Sequence, residues 1–124
     1  MHYLIDTNVF LWFVEGDHRL DIRLVDRITD PNNELWISIA SLWEITIKVS
    51  KGRLLPNIDL KEYFRRQVDD NEIRVLPIKT DHLSVLRALP LYHKDPFDRL
   101  IASQSLSENL PLLYTDIAFD PYFT

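Results

Sequence analysis

The sequence predicts an α/β fold, a single domain over residues 1–124 in which a parallel β-sheet is flanked by helices. Short apolar runs of strand character alternate with longer stretches of helical periodicity, the pattern of parallel strands joined by right-handed helical crossovers. No linker, repeat or composition shift divides the chain, and 46% hydrophobic residues supply enough apolar side chain for one core.

Residues 2–6 read as a buried strand that ends on Asp6, and residues 9–14 continue as a helix to the break at Glu15-Gly16-Asp17. Apolar positions 20, 22, 24, 25 and 28, set among Asp21, Arg23, Asp26 and Arg27, predict an amphipathic helix that stops at Asp30-Pro31-Asn32-Asn33. Residues 35–37 form the second strand. Ser38 is placed to cap a helix running to about Ser50, with Gly52 and Pro56 marking its exit, and residues 60–68 read as a helix after Asp59. Residues 73–78 make the third strand, Thr80 caps a short helix to about Ala88, and Asp95-Pro96 opens a longer one to Asn109. Residues 112–115 are the fourth strand, ending on Asp116.

Composition narrows the chemistry. Nineteen Asp and Glu against fourteen Lys and Arg give a net charge of −5, which argues against wrapping nucleic acid by bulk attraction. A phosphate substrate must then be met locally, and a divalent cation among clustered carboxylates would do this. Zero cysteines exclude disulfides, thiolate metal sites and thiol nucleophiles. Gly16 and Gly52 are the only glycines and neither sits in a phosphate-cradling loop; a serine hydrolase's GxSxG elbow is also missing. No apolar run approaches the roughly 18 residues of a membrane span, and His2 and Asp6 stand where a secretory signal wants a basic start and an apolar stretch. A cytoplasmic protein is expected.

Four acids stand out by position. Asp6 and Asp116 end strands, Glu44 lies in the second turn of the helix after the second strand, and Asp98 lies in the first turn of the helix before the fourth. In open parallel sheets, functional groups gather at the carboxyl ends of the strands. Three or four carboxylates there suit Mg²⁺ or Mn²⁺, hard cations that take oxygen ligands and activate water against a phosphodiester. Each residue also has a plainer reading. Asp6-Thr7-Asn8 suits a helix cap, Glu44 pairs with Lys48 at i,i+4, Asp95 caps a helix with Pro96 in its first position, Asp98 complements that helix's dipole, and Asp116 favours a turn. Their joint placement favours a common purpose.

Leu-Ile-Asp6-Thr7-Asn8, Ser41-Leu-Trp-Glu44-Ile, Asp95-Pro-Phe-Asp98-Arg-Leu-Ile-Ala102 and Tyr-Thr115-Asp116 together resemble the conserved blocks of PIN domains, most of all those of VapC-type toxins. The resemblance covers essentially the whole chain and implies a three-layer α/β/α fold and a Mg²⁺- or Mn²⁺-dependent endoribonuclease, the toxin of a toxin-antitoxin pair. Carried across, the metal-binding and catalytic acids are Asp6, Glu44, Asp98 and Asp116, with Asn8 and Thr115 placed to orient ligands or water. A small antitoxin and a homodimer or hetero-oligomer are further implications. Tyr114 departs from the pattern, standing where many relatives carry Thr.

Among the cations, Lys48, Lys51 and Arg99 lie nearest the acids in sequence and are the candidates for RNA contact; Arg53, Arg65, Arg66 and Lys94 read as solvated surface. Trp12, Trp36, Trp43, Phe10, Phe13 and Phe64 fit core or interface positions, and His2, His18, His82 and His93 lack paired metal-ligand spacing and read as solvated or packed. A phospho-acceptor domain is disfavoured, because Asp6-Thr7-Asn8 lacks the Asp-x-Asp pair of such phosphatases and residues 73–78 carry no acceptor Asp. A catalytically silent binding module acting through protein partners stays open as the alternative, although all four acids are retained.

Overall fold

The computed structural model describes residues 1–54 and 57–123; Pro56, expected at a helix exit, lies outside them. Strand β1 (His2–Ile5) is the centre of the sheet. It pairs in parallel with β2 (Glu34–Ser38) on one side and with β4 (Leu112–Leu113) on the other, and β2 pairs with β3 (Arg74–Leu76), giving the order β3-β2-β1-β4. Ile5 faces Ile37 and Leu113 in register, which brings the carboxyl ends of β1, β2 and β4 to one edge.

Side-chain alternation along these strands divides the core in two. Ile5, Leu35, Ile37 and Leu113 pack on one face with Val9 and Phe10 of α1 (Thr7–Glu15), Ile28 of α2 (Ile22–Thr29), Leu42 and Ile45 of α3 (Ile39–Ser50) and Tyr63 of α4 (Leu60–Phe64). Leu4, Leu76 and Leu112 pack on the other face with Ile101 and Ala102 of α6 (Pro96–Glu108) and Tyr122 of α7 (Asp120–Phe123). A period of two buried on both faces is what a parallel sheet between helical layers requires. Helix α5 (Thr80–Ala88) lies against α6. The expected three-layer α/β/α architecture is therefore present.

Local chemistry explains the helix boundaries. Asp6, Ser38, Asp59 and Asp95 each accept a backbone N–H from the first turn that follows, and Gly16 and Asn109 end α1 and α6 in the left-handed region, at φ 64° and 55°. Thr80 is the first residue of α5 and not its cap: Lys79 precedes the helix, and its N–H donates to His82 Nδ1 at 3.0 Å. The helix expected over residues 60–68 is α4 running into a π-helical turn, Arg65–Asp69. Strands β3 and β4 are shorter than expected. Pro77, which has no N–H to give, follows β3, and the chain past Leu113 turns into the site instead of pairing. A 3-10 turn, Ile117–Phe119, and α7 follow Asp116, and the sequence signals neither because each is shorter than one amphipathic repeat. Among the described residues no helix is long and apolar enough to cross a membrane.

Candidate active site

Asp6 emerges from β1 at the crowded carboxyl edge. Its N–H donates to Leu113 O at 3.0 Å, tying the strand end to β4, and Oδ1 accepts Val9 N–H at 2.7 Å as the cap of α1. The residue is 3% exposed. Burial pushes its carboxyl up to about 7 and the charges of Asp98 and Glu44 add to this, against opposing backbone hydrogen bonds from Val9 and Thr115. Thr115 thus reaches Asp6 through its backbone. Asn8 is exposed in the first turn of α1.

Glu44 projects from the second turn of α3. The Thr7 hydroxyl lies 2.8 Å from Glu44 Oε1 and 2.9 Å from Ser41 Oγ, and Lys48 Nζ lies 3.4 Å from Glu44 Oε2. The single Thr7 proton goes to the carboxylate, which has none, so Ser41 donates to Thr7. The Glu44–Lys48 pair read as a plain alternative is present, and it sits beside the other acids. Thr7 and Ser41 are buried polar groups whose role sequence spacing did not single out.

Asp98 sits in the first turn of α6, where Asp95 Oδ1 caps the helix by accepting Phe97 N–H at 2.8 Å and Asp98 N–H at 3.1 Å. Burial pushes the Asp98 carboxyl up to about 6, the charges of Asp95, Glu44 and Asp116 add to this, and His93 opposes it. Asp95 is therefore both a cap and a source of negative potential. Asp116 is more open; its Oδ1 accepts Ala118 N–H at 2.9 Å, starting the 3-10 turn.

His93 corrects the sequence reading of a solvated or merely packed ring. Its Nε2 lies 3.0 Å from Asp98 Oδ2 and 3.1 Å from Asp116 Oδ2, joining the two acids. Its Nδ1 accepts Asp95 N–H at 3.2 Å, and the ring leans on Phe119, with centroids 5.1 Å apart. The loop that carries it is held by Tyr122, whose hydroxyl accepts Tyr92 N–H and His93 N–H and donates to Pro90 O. The only hint in the sequence was proximity, His93 lying two residues before the helix cap Asp95.

Arg99, a candidate for RNA contact, spends its guanidinium on Leu89 O, Pro90 O and the Tyr122 hydroxyl, bracing that same loop. Lys51 is exposed at the end of α3. Among the aromatics, Phe10 is fully buried and Trp12, Phe13, Phe64 and Trp36 pack on the cores, but Trp43 is 56% exposed. It meets Phe97 edge-on, at 5.0 Å between centroids, so each ring lies one residue before a site acid.

The donor set is carboxylate oxygen with one imidazole, and His93, Asp98 and Asp116 each place a ligand atom within 4.8 Å of the others. Asp6 and Glu44 lie near enough to raise or share that potential. Oxygen-rich, thiol-free and excessively negative, these groups fit a hard divalent cation.

The PIN domain family model matches residues 3–122. The chain belongs to the PIN domain family. PIN domains are generally nucleases and generally use divalent metal ions. Among solved structures, the PIN fold of this chain is similar to that of VapBC2 from Rickettsia felis bound to a DNA fragment from their promoter, with TM-score 0.68 and 20% identity over 99% of this chain and 94% of that one. A toxin-antitoxin complex from Klebsiella pneumoniae gives TM-score 0.64 and 19% identity, covering 93% and 87%. FitAcB from Neisseria gonorrhoeae gives 0.65 and 18%, covering 98% and 92%. At these identities the likeness is one of fold. No curated protein is significantly similar to the chain.

Proposed function

We propose that this PIN domain is a Mg²⁺- or Mn²⁺-dependent endoribonuclease, the VapC-like toxin of a toxin-antitoxin pair. The observation that carries the reading is the gathering of Asp6, Glu44, Asp98 and Asp116 beside the carboxyl edge of the sheet, where burial and the neighbouring acids push the carboxyls of Asp6 and Asp98 up. Acids kept in such mutual repulsion are relieved by a cation, and perturbed carboxylates concentrate where proteins do chemistry.

In this reading Asp6, Glu44, Asp98 and Asp116 hold the ion. When bound, it supplies an activated water and charge stabilisation at the phosphodiester. Thr7 orients the Glu44 carboxylate through its hydroxyl, and the Val9 and Thr115 amides orient that of Asp6. Lys48 and Lys51, on the face of α3 that leads from Glu44, attract the RNA backbone against the chain's net negative charge. The structural neighbours described as toxin-antitoxin assemblies support a small antitoxin as partner, with the toxin in a homodimer or hetero-oligomer; the proposed place of action is the cytoplasm.

The test is cleavage of mixed RNA by antitoxin-free protein with Mn²⁺, with EDTA, and as Asp6→Asn. Cleavage that needs both the metal and Asp6 is the expected result. Intact RNA in the presence of folded, metal-loaded protein would replace this reading with the silent binding module.

A further inference from the structure

Two nitrogens of one ring decide what His93 does at this site. Nδ1 accepts the Asp95 N–H at 3.2 Å, so it carries no proton. The ring's one N–H is then on Nε2, where it meets Asp116 Oδ2 in a hydrogen bond of 3.1 Å, with Asp98 Oδ2 3.0 Å from the same nitrogen. A protonated Nε2 has no lone pair for a metal. Ligation through Nε2 would require the proton on Nδ1, facing the Asp95 N–H donor to donor, at the first turn of α6. The ring is also fixed in place: its side chain is 11% exposed, it rests on Phe119, and its own N–H is held by the Tyr122 hydroxyl.

The geometry points to His93 as a positioning residue, whose Nε2–H donates to Asp116 Oδ2 with Asp98 Oδ2 lying 3.0 Å from the same nitrogen, so that it bridges the two carboxylates and sets their spacing for one cation, and not itself a ligand. Resting on the metal-site reading above, this inference adds a member whose chemistry is donation. Asp116 gains most from it. Asp116 comes from the short turn after β4 and is the most open of the acids joined here, with a side chain 44% exposed, whereas Asp98 is fixed on a long helix. The bridge transfers the rigidity of α6 to that turn.

Mn²⁺ binding to the full chain, followed by electron paramagnetic resonance, tests the bridge together with ¹⁵N NMR of the histidine ring. The Nε2–H tautomer is expected in the metal-free protein and unchanged at saturating Mg²⁺, and bound Mn²⁺ should show no directly coordinated ¹⁴N. His93→Leu should weaken Mn²⁺ binding by about 10- to 100-fold, the usual consequence of losing a group that orients a ligand. His93→Gln, whose amide N–H can take the place of Nε2–H, should recover most of it. An Nδ1–H tautomer in the Mg²⁺ complex, or a ¹⁴N coupling that His93→Leu removes, would make His93 a ligand and overturn the proposal. Mn²⁺ binding that Asp98→Asn abolishes and His93→Leu leaves intact would overturn the bridge alone. Failure of the folded wild-type chain to bind Mn²⁺ would overturn the metal site and the bridge with it. The tautomer measurement needs no variant, so it decides the matter even where His93→Leu does not fold.

Discussion

His82 and His93 use the same local grammar to different ends. Each ring accepts a backbone N–H at Nδ1 near the start of a helix, from Lys79 at 3.0 Å and from Asp95 at 3.2 Å, and each meets carboxylate at Nε2. At His82 there is one acid, Glu108 Oε2 at 2.8 Å, with Lys79 Nζ 3.8 Å from its other oxygen, and the His82 bond holds the Glu108 carboxyl below its usual range. At His93 there are two acids, and a donor alone does not prevent burial from pushing Asp98 up to about 6. The first site joins α5 to α6 with its charges answered. The second leaves negative charge unanswered, the repulsion that the proposed cation would relieve. Proteins accept such local cost at functional sites.

The largest expected effect separates the two regions by activity. Asp98→Asn should lower RNA cleavage by about 10³-fold or more, while His82→Ala should leave kcat at the permissive temperature near that of the wild type. Comparable losses in both variants would mean that the two histidine sites are not functionally distinct.

Next in size is a pH effect of opposite sign at the two sites. Asp6 rises from its ordinary 3.8 to about 7 and Asp98 from 3.8 to about 6 on folding. The stability they contribute is therefore fully present below about pH 4 and is lost as pH rises through 6 and 7, an effect of a few kcal/mol at most. Glu108 runs the other way: its lowered value contributes stability above the ordinary carboxylate range that is lost as pH falls. Metal-free protein should thus unfold more easily in urea at pH 8 than at pH 6, and saturating Mg²⁺ should remove the difference. Asp6→Asn keeps a capping side chain and removes the charge, so it should stabilise the metal-free chain at pH 8. Asp6→Ala should fall below Asp6→Asn by about 1 kcal/mol for the lost cap. A metal-free stability that climbs steadily from pH 6 to 8 would contradict the raised carboxyls.

Truncating each histidine sharpens the contrast in stability. His82 is fully buried and its loss strands the Lys79 N–H and opens a cavity beside Gln104, so His82→Ala should cost about 2 to 4 kcal/mol. His93→Leu keeps apolar contact with Phe119 and should cost about 1 kcal/mol or less, by urea unfolding without metal. Equal losses would make His93 a structural residue like His82.

How far the sequence showed this is visible in the two histidines. The places of Asp6 and Asp116 after apolar strand runs, and of Asp98 in the first turn of a helix opened by Asp95-Pro96, were legible from local pattern, whereas Glu44 lies within an apolar helix and stood out only as an acid among apolar residues. The parallel sheet needed only periodicity and crossover handedness, whereas its order, β3-β2-β1-β4, was not read from the sequence. His93 was not legible, since its contacts to Asp98 and Asp116 depend on the loop braced by Tyr122 and Arg99, and no periodic pattern marks that loop. Thr7 was hidden by a local explanation, as a residue beside a helix cap, although its partner Glu44 is remote in sequence. Trp43 sits in an apolar stretch, and its exposed position follows from the rotation of α3, which pattern alone leaves undecided.

The smallest expected effect concerns Lys48, a lysine that pairs with Glu44. Its Nζ is 3.4 Å from Glu44 Oε2 and its side chain is 39% exposed, so the pair contributes about 0.5 kcal/mol or less to folding. The same ammonium competes with any divalent ion for Glu44. Lys48→Gln should therefore raise Mn²⁺ affinity about twofold at low salt while leaving the unfolding midpoint nearly unchanged, and the gain should vanish at high ionic strength. Glu108 offers the control, because Lys79→Gln near the His82 site should change Mn²⁺ binding not at all. An unchanged Mn²⁺ affinity in Lys48→Gln, together with weaker RNA binding, would show that Lys48 leaves Glu44 for the phosphate backbone once the ion is in place.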